Sequence, residues 1–282
     1  MGMRRGLAVA LLIAACTGTA FSAAYDDFSR GISANNIGNS ELAISSFTAA
    51  LTAGDLAPAY VPNAYVGRAR GYLRTNKCAE ALSDLDQVIA LKADTADTYL
   101  LRAGTNACLG KSDAAQADFD VVIRLRPVAA NYEAYARFLW DGALFPKAAE
   151  NYAQAVKLAS NDSPHKPYLV LWYAMSADRA GTLDQATLTD AESRLDGSDW
   201  PAPLLDLYRG KMTADKAALK AASRDVEIAG NQKCEADFYI GEWQLARKSE
   251  DAGKVLLQQA VSECPHNFFE YFAAQVELKR QP

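Results

Sequence analysis

The apolar positions of this chain follow a repeating pattern of small and large side chains. Residues 41–51, 79–89, 113–123 and 146–156 each place a large apolar residue four positions after a small one. Another small residue stands twelve positions before the first one in every copy. The copies are offset by 38, 34 and 33 positions, and their defining residues are Ala43 with Phe47, Ala81 with Leu85, Ala115 with Phe119 and Ala148 with Tyr152, preceded by Gly31, Ala69, Ala103 and Ala136.

This pattern predicts a repeated helical hairpin. Small residues mark the places where two helix axes approach, and the large residue fills the space beside them. A fifth copy places Gly241, Gly253 and Leu257 at these positions, with Pro265 after the second helix. The pattern resembles that of the tetratricopeptide repeat family. The resemblance implies an all-α fold, a solenoid of helical hairpins wound as a right-handed superhelix with a C-terminal capping helix.

The pattern also sets the predicted domain boundaries. Clear repeats cover about 24–159, and the last repeat covers 234–265. The template fails over about 165–223, where the apolar runs still predict helices, so we expect degenerate hairpins there. A capping helix is predicted at 267–280. We therefore predict one solenoid domain over 23–282.

The closing helix has a local start signal. Asn267 and Glu270 fit a capping box, with Asn267 as the cap and Glu270 reaching back to its backbone N–H. Phe268, Phe272 and Val276 then recur on one side of the helix. Either this side covers the end of the last repeat, or part of it is a surface for a dimer or another partner.

The first residues predict an export signal. A basic start at 1–5 precedes an apolar run at 7–15 that is too short to span a bilayer. Small residues before Ala23 suit a cleavage site, so 1–22 is the predicted signal peptide. Alternatively, 13–16 resembles a lipobox, with Cys16 as the lipidated N-terminus. The protein is then periplasmic or secreted in the first case, and an outer-membrane lipoprotein in the second.

Export changes the interpretation of the four remaining cysteines, because disulfides persist in oxidising compartments. Cys234 and Cys264 lie at ends of neighbouring antiparallel helices that should meet, and so do Cys78 and Cys108. We predict the disulfides 234–264 and 78–108, with free thiols or a redox role as the alternative. A third hypothesis makes Cys264 a nucleophile, since it precedes a helix start and lies two residues from His266.

Composition excludes several functions. The net charge is −5 and the pI is about 5.2, so the basic surface required for nucleic-acid binding is not indicated. The sequence has two histidines and lacks metal-ligand spacing, a phosphate-binding loop and a Ser/His/Asp arrangement. We therefore predict no catalytic, metal or cofactor site, and a protein that is not an enzyme.

Three short elements in the second half resemble the NlpI-type tetratricopeptide proteins of the bacterial envelope. They span roughly residues 167–279, and the residues concerned are Trp200, Tyr208 and Gly210, then 238–241, then His266, Asn267, Phe268 and Glu270. The resemblance implies an adaptor that brings cell-wall hydrolases to a periplasmic protease, and it also implies a homodimer. The lipobox is ambiguous, and the four cysteines depart from the family.

In a tetratricopeptide fold the first helix of each hairpin lines an inner groove, where peptides or proteins bind. The groove positions are Asn35, Arg70, Arg74, Asp97, Glu133, Arg137 and Trp140. We predict an exported scaffold that binds protein or peptide partners and contacts the membrane only through a lipid on Cys16. The alternatives are a self-associating subunit with one fixed partner, and a thiol enzyme that uses Cys264.

Overall fold

The computed structural model describes residues 23–192, 200–221 and 225–280. These residues form fifteen α-helices and no strand, which confirms the all-α prediction. The predicted signal peptide and Cys16 lie outside the described residues. The chain divides into two compact units at Gly110, here called unit 1 and unit 2. The prediction of one domain over 23–282 stays a prediction.

Unit 1 holds the first five helices, and unit 2 holds the other ten. The helices of unit 1 are α1 (Ala23–Asn36), α2 (Ser40–Thr52), α3 (Val61–Arg74), α4 (Cys78–Ala90) and α5 (Ala96–Cys108). Those of unit 2 are α6 (Ser112–Leu125), α7 (Ala129–Asp141), α8 (Phe145–Leu158), α9 (Lys166–Ala180), α10 (Gln185–Glu192), α11 (Ala202–Tyr208), α12 (Ala214–Lys220), α13 (Val226–Ala246), α14 (Glu250–Glu263) and α15 (Phe269–Arg280).

The repeat positions lie where consecutive helices pack. The four small residues of the second helices and the four large residues that follow them are at most 4% exposed. The preceding small residues, including Gly31 and Ala103, are buried as well. Side-chain caps start several helices: Asn39 accepts a hydrogen bond from the N–H of Leu42, and Thr95 accepts one from Thr98. The small and large residues that define the sequence repeat are thus the residues that pack between consecutive helices.

Unit 2 departs from the regular hairpin because two of its helices, α9 and α13, are buried on all sides over part of their length. Residues 169–177 of α9 and 234–242 of α13 are buried without interruption, and the two helices pack on each other. A helix apolar or buried all round belongs to the centre of a domain. The short helix α11 packs on both of them. The repeat template fails over about 165–223 because α9, the first helix there, is buried over 169–177 and lacks the single buried face of a regular hairpin helix.

Two predicted helix starts are wrong. We expected Cys234 to open the first helix of the last hairpin, but α13 begins two turns earlier, where Asp225 caps it. We also expected Asn267 and Glu270 to form a capping box. Instead α15 begins at Phe269, and the Glu270 carboxylate accepts a hydrogen bond from the Tyr239 hydroxyl at 3.0 Å.

The last hairpin depends on a close backbone approach. A methyl group added at Gly253 of α14 would lie 2.9 Å from the Gly241 carbonyl oxygen of α13 and 2.7 Å from the Leu245 side chain. Only hydrogen fits at such a distance, so the fifth copy uses glycine where the others use alanine. In the described residues, no helix has both the length and the apolar character needed to cross a membrane.

Candidate functional site

Unit 1 carries an open groove between α1 and α3. Its volume is about 260 Å³. The groove has an apolar floor, where the Phe47 ring packs between two glycines, and a rim of asparagine and arginine side chains. Its lining comprises Phe28, Ile32, Asn35, Asn36, Phe47, Asn63, Val66, Gly67 and Arg70.

Two predicted groove residues, Asn35 and Arg74, are hydrogen-bonded to each other. The Asn35 side-chain amide donates to the carbonyl oxygen of Gly67 at 2.8 Å, which joins α1 to α3. Arg74 donates to the backbone oxygen of Asn35 at 3.0 Å and to its side-chain oxygen at 3.3 Å. Arg70 is exposed at the rim. The structure therefore places Asn35 and Arg70 in the groove lining and Arg74 in contact with Asn35, whereas Asp97 is exposed on α5 and does not line this groove.

Glu133 and Arg137 lie in unit 2 and are engaged by the chain itself. Arg137 donates to Glu133 at 2.6 Å, and the His165 ring nitrogen lies 3.1 Å from the same oxygen. The hydrogen bond to Glu133 raises the pKa of His165. The Phe269 ring of α15 lies 3.6 Å from the Arg137 guanidinium carbon, a cation–π contact. Arg137 is thus covered by α15, whereas Glu133 is engaged by Arg137 and His165.

Trp140 corrects the predicted groove list. It is fully buried, so it belongs to the core of unit 2 and not to an accessible surface. Its ring packs edge-on against Trp172 at 5.4 Å between centroids, and also against Phe238. The Arg280 guanidinium of α15 lies 4.6 Å from the same ring. The helical periodicity indicated a side of α7 for Trp140, but it could not reveal that other helices bury this side chain.

Two buried carboxyl groups lie near this core. Glu235 accepts hydrogen bonds from the Trp200 indole N–H at 2.5 Å and from the Tyr168 hydroxyl at 3.1 Å. Burial raises the pKa of Glu235 to about 7, and the nearby charge of Glu270 adds to the effect. Burial also raises the pKa of Glu270. A carboxyl group in an apolar setting resists losing its proton, which explains both directions.

The Arg179 guanidinium group joins three helices of unit 2. Arg179 of α9 donates to Glu242 of α13 at 2.6 Å and to Glu277 of α15 at 2.9 Å. Arg280 pairs with Glu277 and donates to the Trp140 carbonyl oxygen at 2.5 Å. Burial, followed by repulsion from Glu277, raises the pKa of Glu242. We call Arg179, Glu242, Glu277 and Arg280 the latch.

Sequence reasoning missed the latch and Glu235. One signal was available: Glu235 and Glu242 flank the apolar stretch 238–240 of α13, and a charge beside a buried stretch requires a partner. The partners come from residues 63 and 98 positions away from Arg179 and 35 positions away from Glu235. No local pattern indicates such pairs.

The cysteines lie in the predicted pairs. Cys78 and Cys108 are bonded, with their Cα atoms 6.3 Å apart, and Cys234 and Cys264 are bonded, with theirs 4.9 Å apart. Cys264 is therefore not a free thiolate, which a nucleophile requires. Across the described ranges, no group of three or more His, Cys, Asp or Glu residues could hold a metal ion.

No family model matches the sequence. A tetratricopeptide repeat protein from Parabacteroides merdae is similar in structure, with a TM-score of 0.57 at 12% identity, covering 90% of this chain and 98% of its own. The C-terminal part of a TPR repeat-containing protein from Cytophaga hutchinsonii gives 0.54 at 11% identity, covering 87% and 98%. The likeness to NlpI-type proteins stays a prediction. At such identities the similarity concerns the fold, and this chain has the fold of tetratricopeptide repeat proteins.

Proposed function

We propose that this protein is an exported, non-enzymatic scaffold that binds a protein or peptide partner in the unit 1 groove. The observation that carries the proposal is the open groove between α1 and α3, which has an apolar floor and a polar rim. Tetratricopeptide folds present such grooves to peptides. In unit 2, by contrast, the first helices are covered by α15.

The groove chemistry suits an extended segment of a partner. Asn36 and Asn63 line the groove and can each donate to and accept from a peptide backbone. Ile32 offers an exposed apolar contact, and Arg70 adds a positive charge. Binding of this kind needs a rigid surface and does not need a catalysed reaction. The bond between Asn35 and Gly67 supports that rigidity by fixing α1 on α3.

The two disulfides support an oxidising location, as does the predicted signal peptide. The proposed location is the periplasm or the exterior, with a lipid anchor at Cys16 as the alternative. Intact-mass measurement distinguishes the two, because a lipidated N-terminus at Cys16 excludes cleavage before Ala23. The finer proposal, an adaptor between cell-wall hydrolases and a protease, rests on the NlpI-type resemblance.

The test is site-specific crosslinking in an envelope fraction. A photo-crosslinking residue replaces Asn63 in the groove, and a matched control replaces Glu80, which is exposed on α4 and does not line the groove. We expect protein adducts from position 63 that Arg70→Ala weakens, and none from position 80. Hydrolases or a protease among the adducts support the adaptor. Adducts with a second copy alone favour the self-associating subunit, and no adduct at position 63 contradicts the proposal.

A further inference from the structure

Helix α15 lies across several helices and does more than close the last hairpin. It packs on α14 and α13, as a capping helix does. Its side chains also reach two earlier helices, because Phe269 and Arg280 contact α7 and Glu277 contacts Arg179 of α9. We call the surface beneath it, formed by α7, α9 and α13, the covered face. The covered face belongs to the first helices of the hairpins, the side that binds partners in this fold.

The buried side of α15 has an unusual composition. The residues that it buries are Glu270, Ala273, Ala274 and Glu277, a stripe at the spacing of one helical face. None of its large apolar residues is fully buried: Phe269 is 49% exposed, Phe272 is 52% exposed, and Tyr271, Val276 and Leu278 are half-buried. Two carboxyl groups therefore occupy buried positions where a purely structural cap would place large apolar side chains.

The latch fixes the register of α15 on the covered face. It adds little net free energy to that contact. Taking charged groups out of water costs about as much free energy as their pairing returns, so buried ion pairs contribute specificity more than stability. The apolar residues that α15 buries completely are two alanines, each worth about 1 kcal/mol, and its larger apolar side chains are only half-buried and add part of their full contribution. We therefore expect α15 to be bound in one register and to leave the covered face readily.

The connection before α15 allows this release. Cys264 is held to Cys234 by the disulfide, which fixes the end of α14. Only residues 265–268 separate this point from α15, and His266 and Asn267 in that stretch are exposed. Helix α15 can thus move away while the hairpin of α13 and α14 stays closed.

We propose that α15 is a displaceable internal ligand, and that the covered face binds a helix of a protein partner with the same chemistry. Such a helix carries two glutamates seven residues apart, alanines between them and an arginine three residues after the second glutamate. The first glutamate meets the Tyr239 hydroxyl, the second meets Arg179, and the arginine reaches the Trp140 carbonyl oxygen. This site is separate from the unit 1 groove and does not depend on the function proposed there.

The test measures binding of a labelled peptide of residues 266–280 to the full mature chain. The change Arg280→Ala removes the Glu277 pairing and the bond to Trp140 from the internal helix only. Because an internal ligand lowers the apparent affinity in proportion to the closed population, we expect this variant to bind the peptide at least about tenfold more tightly than the wild type. Lys279→Ala, an exposed neighbour on α15, should bind like the wild type.

Two further measurements decide the outcome. A peptide with Glu277→Ala should bind at least about tenfold more weakly, and amide exchange of the wild-type chain should be faster in α15 than in α14. Glu277→Gln serves as the second variant if Arg280→Ala does not fold. Equal peptide binding by the wild type and the folded variant overturns the proposal, as does equal protection of α14 and α15. A variant that forms dimers through α15 assigns the covered face to a second copy and also overturns it.

Discussion

Arg68 of α3 donates two parallel hydrogen bonds to Asp84 of α4, at 2.8 and 2.7 Å. The Arg68 side chain is 17% exposed and the Asp84 side chain 5%. Arg68 also donates to the Thr48 hydroxyl of α2 at 3.1 Å. Since a guanidinium and a carboxylate match in this fork geometry, one residue holds three consecutive helices of unit 1 in register.

The change Asp84→Ala is expected to destabilise the protein by about 3 kcal/mol, because it leaves the buried Arg68 charge without its partner. The matched control is Asp86→Ala. Asp86 accepts a bond from Arg102 at 2.8 Å, but its side chain is 53% exposed. Exposed pairs contribute less than about 1 kcal/mol. Urea unfolding followed by circular dichroism measures both changes, and equal losses would contradict this account of Arg68.

Changing glycine to alanine should have opposite effects at two positions of the last hairpin, Gly253 and Gly230. Gly253→Ala should lower the free energy of unfolding, because its methyl group would meet the Gly241 carbonyl oxygen at 2.9 Å. Gly230→Ala, on α13 of the same hairpin, has no atom within 4 Å of the added methyl group. It should raise stability by up to about 1 kcal/mol, since alanine is the better helix former. Thermal unfolding compares the two, and a stabilised Gly253→Ala would refute the close approach.

The regular part of the fold could be predicted because it depends on local spacing. Ala81 and Leu85 are separated by one helical turn, and their burial follows from the contact between adjacent helices. The disulfide between Cys78 and Cys108 followed from the same hairpin geometry, which places helix ends together, whereas Cys234 meets Cys264 from a position two turns inside α13. Asn35 and Arg74 were identified as neighbours of the groove for this reason, although their mutual bond was not predicted.

The rest could not be predicted, because it depends on contacts between distant segments. Trp140 has the periodicity of an inner-face residue, but Trp172 of α9 and Phe238 of α13 pack on its ring and make it a core residue. Glu270 fitted a capping box by its distance from Asn267, but Tyr239 offers its carboxylate a partner from another helix. Local pattern describes what a helix presents, whereas the tertiary fold decides what covers it.

The pKa of Glu235 predicts how stability depends on pH. Its folded value is about 7, raised from an ordinary value of 4.5. Between these values the folded state binds more protons than the unfolded state, so the free energy of unfolding falls as the pH rises. Burial raises the pKa of Glu242 and Glu270 as well, which gives the same sign.

Urea unfolding at pH 5 and pH 8 measures this dependence. Glu235→Gln keeps the shape of the side chain and removes its titration, so the loss of stability between the two pH values should be smaller in the variant. The groups that face this carboxyl group, Tyr168, Trp200 and Glu270, remain in place in both proteins. A variant with the full loss would show that Glu235 does not carry the effect.

The two disulfides should differ in their resistance to reduction. Cys108 is exposed, whereas Cys234 and Cys264 are both buried. A reductant needs access to a sulfur atom, so Cys78–Cys108 should open first as a phosphine reductant is titrated into the folded protein. Alkylation followed by peptide mass spectrometry identifies the cysteines that are released at each concentration.

Loss of either disulfide should also destabilise the chain. Each pair has a sequence separation of 30 residues, for which the chain-entropy model gives about 3–4 kcal/mol. The double changes Cys78→Ser with Cys108→Ser, and Cys234→Ser with Cys264→Ser, test this by urea unfolding. The second pair should cost more, because it leaves two polar hydroxyls in a buried site where the first leaves one exposed. Release of Cys234 and Cys264 before Cys108 would contradict the role of access, since the order of reduction would then not follow burial.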